Sequence, residues 1–158
     1  MFIQEESRRL KDWTVEIFAT DLNERSLTHA RNAIYDAYST RYLSSHCRHK
    51  YFVPVTDGLQ VNPPVRSLVT FTRLNLSDDA QMILMKRVDL IFCCNVLIYF
   101  DIGSKRHVIE HFYNSLFPHG YLFLGQTESL YGVDDHFRLI HFPGATAYVR
   151  ADHSEAGG

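Results

Sequence analysis

Val88-Asp-Leu-Ile-Phe-Cys-Cys-Asn-Val-Leu-Ile-Tyr-Phe-Asp101 is the stretch on which the reading of this chain turns. Leu90 to Cys94 carries almost nothing polar, and an apolar run of that length reads as a strand buried on both faces of a parallel sheet. The run ends at Asn95, with Tyr99, Phe100 and Asp101 just beyond it. Ligands of open α/β sheets bind past the carboxyl ends of the strands. A strand that delivers an amide, a phenol and a carboxylate at its exit therefore reads as the floor of a site.

The 158 residues suffice for one domain with a sizeable core, and the composition is ordinarily globular at 46% apolar and 22% charged. A formal net charge of −2 gives no electrostatic case for nucleic acid or an anionic membrane as a bulk partner. No apolar run approaches the roughly 20 residues that span a bilayer, so no membrane insertion is expected. Met1 to Glu6 lacks the charge order and apolar core of a signal peptide. Three cysteines, two of them adjacent, make no disulfide framework and point to a reducing, cytoplasmic setting.

Working outward, residues 4–12 read as the last turns of a helix with little apolar face. Trp13 to Thr20 reads as a strand, followed by a helix from Glu24 to about Ile34 that Asp21 or Asn23 caps. Phe52 to Val61 is a hairpin around Asp57-Gly58, and Val65 to Leu74 alternates again. Residues of about 52–74 are thus expected to form a small antiparallel insertion that feeds back into the main sheet. After the central strand, Ser104 is the expected cap of a helix from about Lys105 to Phe117. Tyr121 to Gly125 is the next strand, Phe137 to Val149 a closing hairpin around Pro143-Gly144, and 151–158 a polar tail expected to be disordered. Strands alternating with helices define an α/β fold in three layers, with a mostly parallel, Rossmann-like sheet over 1–150.

Three strand exits stand out together: Thr20-Asp21, Asn75-Leu76 and Cys94-Asn95. A carboxylate after a strand can accept from both hydroxyls of a ribose, and a polar–apolar pair can meet an adenine edge and face. Asp21 is explained equally well as a helix cap, and Asn75 as a turn former.

Phe18-Ala-Thr-Asp-Leu-Asn23, followed by Leu27, Ala30, Arg31 and Ile34-Tyr35, resembles the second-strand motif of CheR-type chemotaxis-receptor methyltransferases. Leu90 to Asp101 is similar to that family's most recognisable motif, and Leu116 to Ser129 and Ala147 to Val149 fall where the family has theirs. The resemblance covers roughly residues 13–150. It implies transfer of a methyl group from S-adenosylmethionine to glutamate side chains of chemoreceptors, with S-adenosylhomocysteine as product. By that resemblance Asp21 holds the ribose, Asn75 and Leu76 line the adenine pocket, Cys94 and Asn95 lie against the methionine end, and Tyr99 positions the acceptor glutamate.

Two departures accompany it. Position 94 is Cys where the family usually has Arg. The family's first strand and Gly-rich loop would precede everything here, so the resemblance implies a sheet lacking that strand, with free edges through which a homodimer could form. The alternative is a truncated, non-catalytic module that keeps the insertion of about 52–74, the family's β-subdomain by resemblance, for binding a receptor or signalling partner. Arg41, Arg48 and Lys50, interleaved with Tyr42 and Tyr51, read either as a basic docking surface for an acidic receptor helix or as an ordinary solvated face. No metal site is expected: His46-Cys47-Arg48-His49 has no matching second half, and His107 and His111 read as solvated helix histidines.

Overall fold

The computed structural model describes residues 1–150. The expected tail, 151–158, lies outside them. The chain divides into two compact units, 1–74 and 75 onward.

In the first unit, helix α1 (Phe2–Glu5) leads into strand β1 (Ile17–Asp21) and helix α2 (Glu24–Asn32). Asn23 caps α2, its side chain accepting the Arg25 N–H at 2.9 Å, and Ala33 closes the helix in the left-handed region at φ 54°. Strand β2 (Ile34–Tyr35), helix α3 (Ser45–Tyr51), strands β3 (Phe52–Val55) and β4 (Gly58–Val61), helix α4 (Pro63–Arg66) and strand β5 (Val69–Arg73) follow. Gly58 turns the hairpin at φ 141°, where a Cβ would overlap the Tyr35 carbonyl. The antiparallel sheet has the order β2-β4-β3, so the insertion occupies 34–61. Strand β5, expected within it, instead pairs in parallel with β1, from Ile17 opposite Val69 to Asp21 opposite Arg73. Its alternation is that of a strand with one face covered, which sheet membership alone does not distinguish.

In the second unit, helix α5 (Asp79–Met82) precedes strand β6 (Val88–Cys93), a 3-10 turn (Leu97–Tyr99), helix α6 (Ile102–Ser115) and strands β7 (Leu116–Leu124), β8 (Phe137–Phe142) and β9 (Ala145–Arg150). Strand β7 runs parallel to β6 and antiparallel to β9, giving the order β6-β7-β9-β8. Val108, Ile109 and Phe112 of α6 are buried, as are Cys93, Leu97 and Leu122.

The expectation of burial on both faces of β6 fails. Cys93 is buried, but Leu90 and Phe92 on the opposite face are exposed, Phe92 by 70%. Phe92 stacks on its register partner Phe123 at 4.7 Å between ring centroids, and Tyr121 packs edge-on to Phe142. No described element of this unit covers the aromatic strip. An apolar run reports what a strand is suited to, not how many layers its own chain supplies.

Candidate functional site

Strand β1 ends in Asp21, exposed, with its Oδ1 accepting the Asn23 N–H at 2.7 Å. Its second oxygen meets no donor among the described residues. The neighbouring Arg73 donates from Nε to the Leu22 carbonyl at 3.2 Å, and the Leu74 N–H to the Asp21 carbonyl at 3.2 Å. Helix capping belongs to Asn23 rather than Asp21, which leaves the carboxylate half used.

In the second unit, Asn75 acts as the turn former: its Oδ1 accepts the Ser77 N–H at 3.0 Å, and its own N–H reaches Gln81 Oε1 at 3.1 Å. The Nδ2 amide stays available as a donor. Leu76 is half-buried.

Cys94, Asn95 and Tyr99 belong to one loop built on a single carboxylate. Glu128 Oε2 accepts the N–H groups of Asn95 at 2.7 Å and Gly125 at 2.8 Å. Its Oε1 accepts those of Val96 at 2.9 Å, Leu97 at 2.7 Å and Ile98 at 3.3 Å. Successive N–H groups curled round an anion are stabilised as at a helix N-terminus. Asn95 turns the chain into this arrangement at φ 60°, in the left-handed region that Asn tolerates. Burial pushes the Glu128 carboxyl up, but the N–H groups of Gly125, Asn95, Leu97 and Ile98 outweigh it and hold its pKa below the usual range.

Gly125 is required by proximity. A Cβ there would lie 2.7 Å from Glu128 Oε2 and 2.9 Å from the Asn95 nitrogen. Leu97, 1% exposed, pins the loop from the apolar side, while Tyr99 projects outward at 84%. Cys94 is exposed, whereas burial pushes the Cys93 thiol up to about 12.

Asp101, read from sequence as a third polar group of the site, caps α6 instead. Its Oδ1 takes the Ser104 N–H and its Oδ2 the Ser104 hydroxyl, both at 2.9 Å. Ser104, the expected cap, is thus the third residue of the first turn, and the helix begins at Ile102. The preference of Asp for the capping position decides the start. Those same donors hold the Asp101 carboxyl below its usual range.

Glu128 and Gly125 carried no assigned role in the sequence reading, although both lie in Leu116 to Ser129. A glycine followed three residues later by an acid is the only local signal, and a clamp on a loop thirty residues upstream is invisible to local spacing.

Six residues were expected at the site, and Cys94, Asn95 and Tyr99 share one clamped loop. Asn75 and Leu76 lie in the same unit, and Asp21 in the other.

The fold is similar to the structure of the N-methyltransferase NodS from Bradyrhizobium japonicum in complex with S-adenosyl-L-homocysteine, at a TM-score of 0.51 and 13% identity, over 87% of this chain and 67% of that one. It is the Rossmann-like fold of S-adenosylmethionine-dependent methyltransferases. Residues 1–145 match the family CheR methyltransferase, SAM binding domain, and the chain belongs to that family. Chemotaxis protein methyltransferase 2 of Vibrio cholerae is 36% identical over 151 residues, which are 95% of this chain and 52% of that protein. Chemotaxis protein methyltransferase 1 of Pseudomonas aeruginosa is 39% identical over 128 residues, 80% of this chain and 46% of that protein. The chain therefore spans about half the length of these relatives. Among the described residues no helix is long and apolar enough to cross a membrane.

Proposed function

We propose that this chain is the cofactor-binding part of a cytoplasmic protein-glutamate O-methyltransferase that modifies chemoreceptors. The observation that carries the reading is the loop clamped by Glu128, which presents Tyr99 beside Cys94-Asn95.

Each residue, taken in its own unit, offers a group of the kind the cofactor's nucleoside end would need. Asp21 has a free carboxylate oxygen for a ribose hydroxyl pair, and Asn75 a free amide donor for an adenine edge, with Leu76 for its face. S-adenosylmethionine, when bound, supplies an electrophilic methyl on a sulfonium, which passes to the glutamate oxygen and leaves S-adenosylhomocysteine and a methyl ester. A glutamate carboxylate is already ionised at neutral pH, so no general base is needed. The protein's contribution is alignment. Glu128 fixes the loop backbone, Asn95 lines the methionine end, and the Tyr99 hydroxyl orients the incoming carboxylate.

A second reading, a module that binds a signalling protein without catalysis, rests on Arg41. Its guanidinium lies 3.7 Å from the Tyr38 ring centroid and 4.5 Å from that of Tyr42, both exposed. The wider basic surface read from sequence contracts. Tyr51 is buried, Lys50 Nζ is 3.1 Å from Glu5, and Arg48 donates to the Thr40 carbonyl.

The test is transfer of labelled methyl from S-adenosylmethionine to receptor, read as base-labile ester. The enzyme reading expects ester formation that falls more than about tenfold in Tyr99→Phe, on the scale of losing one positioning contact. A folded chain that forms no ester yet binds receptor through Arg41 would establish the module instead.

A further inference from the structure

Helix α6 carries His107 and His111 one turn apart, so both rings stand on one face of the helix. By sequence alone they are a solvated pair. The fold adds a third group: Asp79, the first residue of α5, reaches the same point. His107 Nε2 lies 2.8 Å from Asp79 Oδ1, His111 Nε2 lies 3.1 Å from that oxygen, and the two Nε2 atoms are 3.1 Å apart. Three ligand atoms thus stand at the corners of one small triangle.

The size of the triangle is informative. Bonds of about 2.1 Å to one ion put neighbouring ligand atoms ~3.0 Å apart at right angles and ~3.4 Å apart in a tetrahedron. The observed edges, 2.8 to 3.1 Å, lie about the first value and short of the second. Without a cation, two imidazole nitrogens face each other and one oxygen, and protons must be shared among them. A cation takes a lone pair from all three at once. We propose that Asp79, His107 and His111 form a binding site for a divalent transition-metal cation of the zinc and cobalt class. Two imidazoles and one carboxylate suit these ions, whereas calcium and magnesium favour oxygen ligands.

The three groups are graded in exposure, with His111 side-chain exposure of 15%, His107 43% and Asp79 78%. An ion enters from the Asp79 side, and its remaining positions face water. What the ion joins follows from the connectivity. Helix α5 is a single turn, capped by Asp78 accepting the Gln81 N–H at 3.0 Å. Gln81 in turn accepts the Asn75 N–H. A cation at Asp79 therefore ties the whole 75–81 turn, with Asn75 and Leu76, to the long helix α6. The site stands on its own geometry and does not depend on the catalytic reading.

The test is titration of the metal-free full chain with Zn2+, with Co2+ as a spectroscopic probe and far-UV circular dichroism on every variant. Saturable one-to-one binding and visible Co2+ absorption bands are expected. Asp79→Asn and His111→Gln should each weaken Zn2+ by more than about tenfold, the scale already produced by losing an outer partner of a metal ligand. Zn2+ should also slow amide exchange across 75–82 in the native chain and not in His111→Gln. His136→Gln, which alters a separate His–Asp pair with Nδ1 3.0 Å from Asp134, should bind as the native chain does. Non-saturating binding, unaltered binding in folded Asp79→Asn and His111→Gln, or equal weakening by His136→Gln would overturn the site.

Discussion

The exits of β1 and β6 occupy equivalent places at the carboxyl ends of parallel strands, yet they are built in opposite ways. At Asp21 one side-chain hydrogen bond to Asn23 shapes the turn, and the second carboxylate oxygen is left open to solvent. At Asn95 five backbone N–H groups converge on one carboxylate, Glu128, while Leu97 is buried and Cys94 and Tyr99 face outward. The first leaves an acceptor oxygen unused. The second is a platform whose polar backbone is already satisfied.

The contrast breaks most visibly at Glu128. Glu128→Ala strands N–H groups on a loop anchored by a buried leucine and is expected to cost about 2 kcal/mol or more in urea unfolding, whereas Asp21→Ala should stay within about 0.5 kcal/mol. Equal effects at the two exits would remove the distinction. Gly125→Ala probes the same platform by crowding, and a cost of about 1–3 kcal/mol is expected from its contacts with Asn95 and Glu128. The native Tm in a parallel scan would show that the loop yields without strain.

A smaller effect separates the two cysteines at the end of β6. Labelling with a thiol reagent at pH 8 should modify exposed Cys94 quickly and Cys93 only on unfolding, since the Cys93 thiol is pushed up to about 12. Equal rates at the two positions would place Cys93 outside the core.

The least effect concerns a second clamped carboxylate, in the first unit. Glu5 is lowered to about 2 by the Tyr51 hydroxyl, which donates at 2.6 Å, and by Lys50. Its folded pKa lies below its ordinary value of 4.5, so the stability it contributes is complete above that value and is lost as pH falls towards 2. Glu5→Gln should flatten the stability profile between those limits. A profile unchanged by the substitution would assign the acid sensitivity elsewhere.

Much of the frame was legible because its signals are local. The Asp57-Gly58 turn, the Asn23 cap with Leu27 beneath it, and the closing hairpin at Pro143-Gly144 each follow from neighbours in sequence. What escaped depends on partners far along the chain. Strand β5 alternates like an insertion strand and joins β1 all the same, since alternation reports a half-covered face and not which sheet supplies it. Glu128 is an unremarkable acid until the loop at Asn95 curls round it, and Asp79 is an ordinary first-turn residue until α6 brings two histidines to it. The ligand candidates were visible as residue types at strand exits, while the groups that hold them in place were not.

The measurement that bears most directly on the cofactor-binding reading is calorimetric titration of the chain with S-adenosylhomocysteine, alongside Asp21→Ala. One-to-one binding that weakens more than about tenfold in the variant, a loss of ~1.4 kcal/mol or more, is the expected result. No binding by the folded native chain, or equal binding by Asp21→Ala, would contradict it.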